Sequence, residues 1–308
     1  MRIVFMGTPD FAETALEALI KAGHDIVLVV TQPDKPKGRS GQLQMSEVKA
    51  CAIKHDIPVF QPAKIREEEN VEYLKRYDAD IYVVAAFGQI VSQEILDIPR
   101  YGCVNIHASL LPKYRGAAPI QQAILDGEKV TGVTIQQMNI GVDTGAILTQ
   151  KEYEIADDET GGSLFEKLSH MGAELIVETL DLISRGEVNP VLQDETKATK
   201  CGKIKKDMGK IDWANDAAVI ERYVRGLNPW PSAYTTLDGK QLKIWRAKAI
   251  KEVYENPGSV IDVKKNSFTV ACGKGALEIF ELQLEGKKRM ETGAFLLGYK
   301  ILAGDRFE

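Results

Sequence analysis

The feature that most constrains this chain is a set of short, unbroken apolar runs separated by helical patterns. Residues 2–6 (RIVFM), 26–30 (IVLVV) and 81–86 (IYVVAA) are apolar at nearly every position. A strand reads this way when both of its faces are buried, as in a parallel sheet covered by helices. Between the first two runs, Phe11, Ala12, Leu16, Leu19 and Ile20 recur at helical spacing. Further helices are expected over 48–55, 71–77, 117–126 and 164–183, and a short strand over 104–106. Residues 132–137 and 146–153 alternate apolar and polar, as half-buried strands do. Strands alternating with helices imply βαβ units and an α/β domain, Rossmann-like, with a mostly parallel sheet.

After residue 210 the texture changes. One helix is expected over 217–226, then short strands over 233–236, 241–247, 258–262, 267–271 and 277–284. Asp238-Gly239 is a hairpin signal. About five short strands at regular spacing fit a small OB-like β-barrel. The chain's 308 residues exceed what one core usually serves. The expected division is a catalytic domain over 1–192, a basic linker over 193–208 and a C-terminal domain over 209–308.

Charge follows the same division. Residues 1–200 carry 20 Lys and Arg against 30 Asp and Glu, whereas residues 201–308 carry 19 against 14. The net charge of −5 therefore hides an acidic front and a basic back. Such asymmetry arises by drift between domains, or marks a polyanion-binding module.

Several classes lose support. No apolar stretch approaches the roughly 18 residues of a membrane span, and the start, MRIVFMGTPDF, lacks a secretory design. The four cysteines, Cys51, Cys103, Cys201 and Cys272, form no C-x-x-C pair. A zinc knuckle and a disulfide framework are thus disfavoured, and a reducing cytoplasm and no metal are expected. Gly7-Thr8-Pro9-Asp10-Phe11 follows the first strand but lacks the later glycines of a dinucleotide fingerprint. Neither G-x-S-x-G nor H-E-x-x-H is present.

The most informative segment is residues 102–116, GCVNIHASLLPKYRG. Asn105 and His107 lie two apart at the end of a short strand, so both side chains share a face. Open α/β sheets bind ligands at such strand ends, although an Asn or a His there also serves as a structural hydrogen-bonder. Asp143 lies between Gly141 and Gly145, where it either faces a pocket or forms an Asx turn. An amide, an imidazole and a carboxylate suit acyl transfer to an amine without a covalent intermediate. Asn105 and His107 can donate to a developing oxyanion. Asp143 can keep His107 charged or relay the amine proton.

Asn105-x-His107, the run Ser109-Leu110-Leu111-Pro112 and the distal Asp143 resemble the formyltetrahydrofolate-dependent formyltransferase family. Over essentially its whole length the chain is similar to those members that act on initiator methionyl-tRNA. Supporting segments are residues 7–11, 31–36, 114–120, 211–213 and 225–231. The resemblance implies a Rossmann-like catalytic domain, 10-formyltetrahydrofolate as formyl donor and a C-terminal OB-like domain that helps hold tRNA. A sugar-nucleotide amine is the alternative acceptor. Asn105, His107 and Asp143 would be the catalytic trio. Ser109, Leu110, Leu111 and Pro112 would line the folate site, with the backbone of Phe87, Gly88, Gln89 and Ile90 around the pterin. Residues 87–90 follow a buried strand, so their amides also face the crevice on the sequence pattern alone.

The polar insertion 34–49 holds Lys35, Lys37 and Arg39, and the resemblance implies that this loop enters the acceptor end of the tRNA. Arg39 is the best candidate there, because a guanidinium binds phosphates and base edges bidentately. Lys203, Lys205 and Lys206 in the linker, and Arg246 and Lys248 on one strand face, would contact phosphates. Trp230 and Trp245 are expected in the core. A monomer without membrane partners is expected.

Overall fold

The computed structural model describes residues 1–36, 43–252 and 254–308. It divides into two compact units: residues 1–119, 130–154 and 165–201, and residues 120–129, 155–164 and 202–308.

The first unit is built on a seven-stranded sheet. β1 (Arg2–Gly7), β2 (Asp25–Val30), β3 (Val59–Phe60), β4 (Ile81–Ala85) and β5 (Cys103–His107) pair in parallel. β6 (Val130–Gln137) and β7 (Ile147–Glu154) add an antiparallel edge, giving the order β7-β6-β5-β4-β1-β2-β3. The mostly parallel, Rossmann-like sheet expected from sequence is present. The apolar runs are unbroken because both faces are covered. Val4, Met6, Leu28, Val30, Tyr82 and Val84 pack in one layer with Leu74 and Ile95, while Ile3 and Phe5 are equally buried. Burying each such side chain contributes about 1.5–3 kcal/mol.

α1 (Asp10–Lys21) and α2 (Glu47–Lys54) follow β1 and β2. α3 (Glu68–Leu74) and α4 (Gln93–Leu96) are short. α1 approaches β1 closely through Gly7: a Cβ there would lie 2.6 Å from Ala12 Cβ and 3.0 Å from Ala85 O. The glycine of the opening turn thus serves helix–strand packing, and Pro9 stands at the cap position before α1. α5 (Pro119–Asp126) and α6 (Gly161–Arg185) complete the helices of this stretch. Residues 120–126 of α5 and the first turn of α6 belong to the second unit.

That second unit contains α7 (Ala217–Gly226) and an antiparallel sheet. Its path is β8 (Ala233–Leu237), β9 (Lys240–Ile250), β12 (Ala276–Leu284), β11 (Phe268–Ala271) and β10 (Val260–Val263). β13 (Met290–Glu291) pairs with β12 and leads into α8 (Thr292–Gly298). The C-terminal tail bridges the two ends of the path. Val260 donates to Asp305 O at 2.8 Å, and Thr236 donates to Glu308 O at 3.0 Å. Phe307 stacks on Phe268 at 5.7 Å and faces Trp213 at 6.2 Å.

Two expectations need correction. Trp230 is 58% exposed rather than core. It sits between Pro229 and Pro231 in the turn from α7 to β8, where no layer covers it. The first half of the expected linker is packed rather than free. Lys200 and Cys201 pair with Arg115 and Gly116, and Gln193 and Glu195 bind Arg115 within the first unit. Polar composition hid this, because the contacts are hydrogen bonds and ion pairs rather than apolar burial. Among the described residues, no helix is long and apolar enough to cross a membrane.

Candidate active site

The order 3-2-1-4-5 of the parallel strands places a topological switch point between β1 and β4, where open α/β sheets bind ligands at strand C-terminal ends. Side chains bridge it. Thr8, just after β1, donates Oγ1–H to Phe87 O at 3.3 Å, and Gln32, after β2, donates Nε2–H to the same oxygen at 3.1 Å.

β5 is next in the sheet and ends in Asn105 and His107. Both approach one carboxylate oxygen: Asn105 Nδ2 lies 3.5 Å, and His107 Nδ1 3.7 Å, from Asp143 Oδ1. The structure therefore brings the three proposed catalytic side chains together. His107 is nearly buried, at 6% exposure, and its Nε2 lies 2.9 Å from Tyr114 O. A carbonyl only accepts, so Nε2 carries the proton. Nδ1, the other ring nitrogen, faces the Asp143 carboxylate.

Asp143 is held on several sides. Gln136 Nε2 donates to its Oδ1 at 2.9 Å, and Gly116 N donates to its Oδ2 at 2.8 Å. Gln136 lies directly opposite Asn105 in the β5–β6 register. Among the described residues its Oε1 is buried without a partner, so the bond the amide donates is the one it makes here. Sequence reasoning missed Gln136, Gly116 and Gln193. Gln136 had a signal: Thr134 and Gln136 put two polar residues on one face of a strand whose other face holds Val133 and Ile135.

The expected folate residues divide into structural and accessible ones. Ser109 is fully buried, donates Oγ–H to Lys113 O at 2.6 Å and accepts Thr134 Oγ1–H on its carbonyl at 2.6 Å. Its hydroxyl shapes the 109–113 loop. Leu111 is buried, while Leu110 and Pro112 are half-buried. Phe87 is a core residue, and the Gln89 amide is engaged with Ile65 N and Pro62 O. Gly88, at φ +77°, and Ile90, 67% exposed, remain open on the loop after β4.

Lys35 is exposed and donates to Gln32 Oε1 at 2.7 Å. Lys37 and Arg39 lie outside the described residues. Lys203, Lys205 and Lys206 are exposed on the second unit. Arg246 and Lys248 are exposed on β9; Arg246 pairs with Glu291 at 2.7 Å and stacks over Phe280 at 5.3 Å. Trp245 is half-buried, its ring flanked by Lys243 and Arg289 at 5.6 and 4.5 Å.

All four cysteines are buried. Burial pushes the Cys51 and Cys272 thiols up to about 12 and raises that of Cys103 as well, so these three are poor nucleophiles. Among the described residues, Glu17, Cys51 and His55 are metal-ligating types placed together. The Glu17 carboxylate already binds Lys54 and His55 at 2.9 and 3.1 Å.

The family model described as formyl transferase matches residues 1–180, and that described as formyl transferase, C-terminal domain, matches residues 203–300. The chain is 56% identical to the methionyl-tRNA formyltransferase of Agathobacter rectalis, over 100% of this chain and 99% of that one. It is 53% identical to the enzyme of the same name from Lachnospira eligens, over 99% and 98%. The crystal structure of an N-formyltransferase from Helicobacter canadensis, in complex with folinic acid and dTDP-3-aminofucose, matches with a TM-score of 0.67. That match covers 94% of this chain and 99% of the other at 19% identity, a likeness of fold.

Proposed function

The chain belongs to the formyl transferase family, and on that footing we propose that it moves a formyl group from 10-formyltetrahydrofolate to the α-amino group of methionine on initiator methionyl-tRNA. The observation that carries this reading is the approach of Asn105 Nδ2 and His107 Nδ1 to one oxygen of Asp143 at the end of β5. The named function of full-length relatives more than 50% identical supports the choice of acceptor.

When bound, 10-formyltetrahydrofolate supplies the formyl carbon that the amine attacks. The loops after the adjacent strands β4 and β5 fit it. Gly88, Ile90, Leu110 and Pro112 leave open backbone and apolar surface there, while Ser109, Leu111, Phe87 and Gln89 hold those loops in shape. The new carbon–nitrogen bond forms as the donor's breaks, and the proton shed by the amine balances the one taken up by the departing nitrogen. Asn105 donates Nδ2–H to the formyl oxygen as negative charge develops there. Removing one such donor typically lowers turnover about 100- to 1,000-fold. His107 takes up a proton at Nδ1, because Nε2 is already committed to Tyr114 O. Asp143 stabilises the imidazolium and orients it.

The basic residues Lys203, Lys205, Lys206, Arg246 and Lys248 hold the tRNA phosphates, with Lys35, Lys37 and Arg39 at its acceptor end. The chain works as a cytoplasmic monomer. An acceptor panel with labelled formyl donor tests the reading. Charged initiator tRNA should be formylated, and sugar-nucleotide amines should not. Labelling of the sugar amine alone would replace the proposed acceptor.

A further inference from the structure

Asp143 adopts φ +52°, a left-handed backbone that a non-glycine residue holds only when its surroundings impose it. Two residues on, Gly145 leaves no room for a side chain, since a Cβ there would lie 1.7 Å from Gln137 O. This tight loop is gripped from a segment 50 residues away in sequence. Gln193 donates Nε2–H to Asp143 O at 2.9 Å and to Gly145 O at 2.7 Å. Both donors of the amide are used.

Its oxygen is equally committed. Gln193 Oε1 accepts from Arg115 Nε at 3.0 Å and Nη2 at 2.9 Å. Arg115 is 5% exposed and also binds the Glu195 carboxylate through Nη1 at 2.8 Å and Nη2 at 2.7 Å. The orientation of the Gln193 amide is therefore unique. Flipped, its oxygen would face two carbonyls and its NH₂ would face a guanidinium. Arg115 and Gly116 are adjacent, and Gly116 N binds the Asp143 carboxylate itself. One short segment thus holds the side chain of Asp143 directly and its backbone through Gln193.

We infer that Gln193, oriented by Arg115 and Glu195, is a positioning residue for the reaction: it fixes the 143–145 loop so that the Asp143 carboxylate meets His107. The inference rests on the proposed role of Asp143. A loop shift of about 1 Å is enough to slow turnover about 100-fold when catalytic groups must align.

Gln193→Glu is the discriminating variant. It keeps the length and the Arg115 partner, removes the two N–H donors, and turns a carboxylate oxygen towards the Asp143 and Gly145 carbonyls. Its kcat should fall about 30- to 100-fold, with KM for both substrates within about twofold, read on protein that melts cooperatively as the parent does. Combined with Asp143→Ala, it should slow turnover no further, because a residue acting through Asp143 has nothing left to position. Gln193→Met, neutral and similar in length, is read in the same way if the glutamate variant does not fold. Parental kcat in the Gln193 variants, or an undiminished penalty in the Asp143→Ala background, would overturn the inference. Parental turnover in Asp143→Ala itself would instead remove the catalytic reading of Asp143.

Discussion

At the scale of the residue, the decisive fact is which nitrogen of His107 is free. Nε2 donates to Tyr114 O, and Tyr114 is itself fixed by Thr199, whose Oγ1 accepts Tyr114 N–H at 2.8 Å. The ring therefore presents Nδ1 to Asp143 without having to choose a tautomer during the reaction. Period-two spacing made Asn105 and His107 legible as a pair. Gln193 was not legible, because the contact that matters spans 50 residues and depends on a loop conformation. A second residue-scale prediction concerns stability. Hydrogen bonds from Lys54 and His55 hold the Glu17 carboxyl down to about 2, against about 4.3 for an unfolded chain. A depressed acid stabilises the fold above its unfolded value, and that contribution is lost as pH falls from about 4.3 towards 2. Glu17→Gln should therefore lower the melting temperature at pH 7, with the gap to the parent closing towards pH 2. A gap that persists unchanged at pH 2 would contradict it.

At the scale of the element, the two sheets differ in how openly the sequence announces them. β1, β2 and β4 stand out because both faces are buried, which leaves runs with no polar position. In the second unit, β8 to β12 appear as separated short strands, as alternation and turn residues indicate. The closing tail does not. Residues 301–308 (ILAGDRFE) contain too few apolar positions to read as a strand, yet Phe307 is 2% exposed against Phe268 and Trp213. Phe307→Ala should destabilise this unit by about 3–5 kcal/mol, measured by denaturant unfolding followed through tryptophan fluorescence, whose sources Trp213, Trp230 and Trp245 all lie in this unit. A change below about 1 kcal/mol would show that the tail only lies on the sheet.

At the scale of the whole molecule, net charge is the wrong quantity to read. The total of −5 argues against a polyanion, whereas the split into an acidic front and a basic back argues for one. The exposed Lys203, Lys205 and Lys206 make this testable. Replacing all three by Ala should weaken binding of initiator tRNA and flatten the dependence of log affinity on log salt by about 2–3. An unchanged slope would move the tRNA off this segment. In the proposed function, the cluster at the end of β5 performs formyl transfer to methionyl-tRNA. Single-turnover transfer of labelled formyl from 10-formyltetrahydrofolate to charged initiator tRNA, compared between the parent and Asp143→Asn, is the decisive measurement. Transfer by the parent should be rapid, and the rate in the variant at least about 100-fold lower with both substrates bound normally. Equal rates in the two proteins would contradict it.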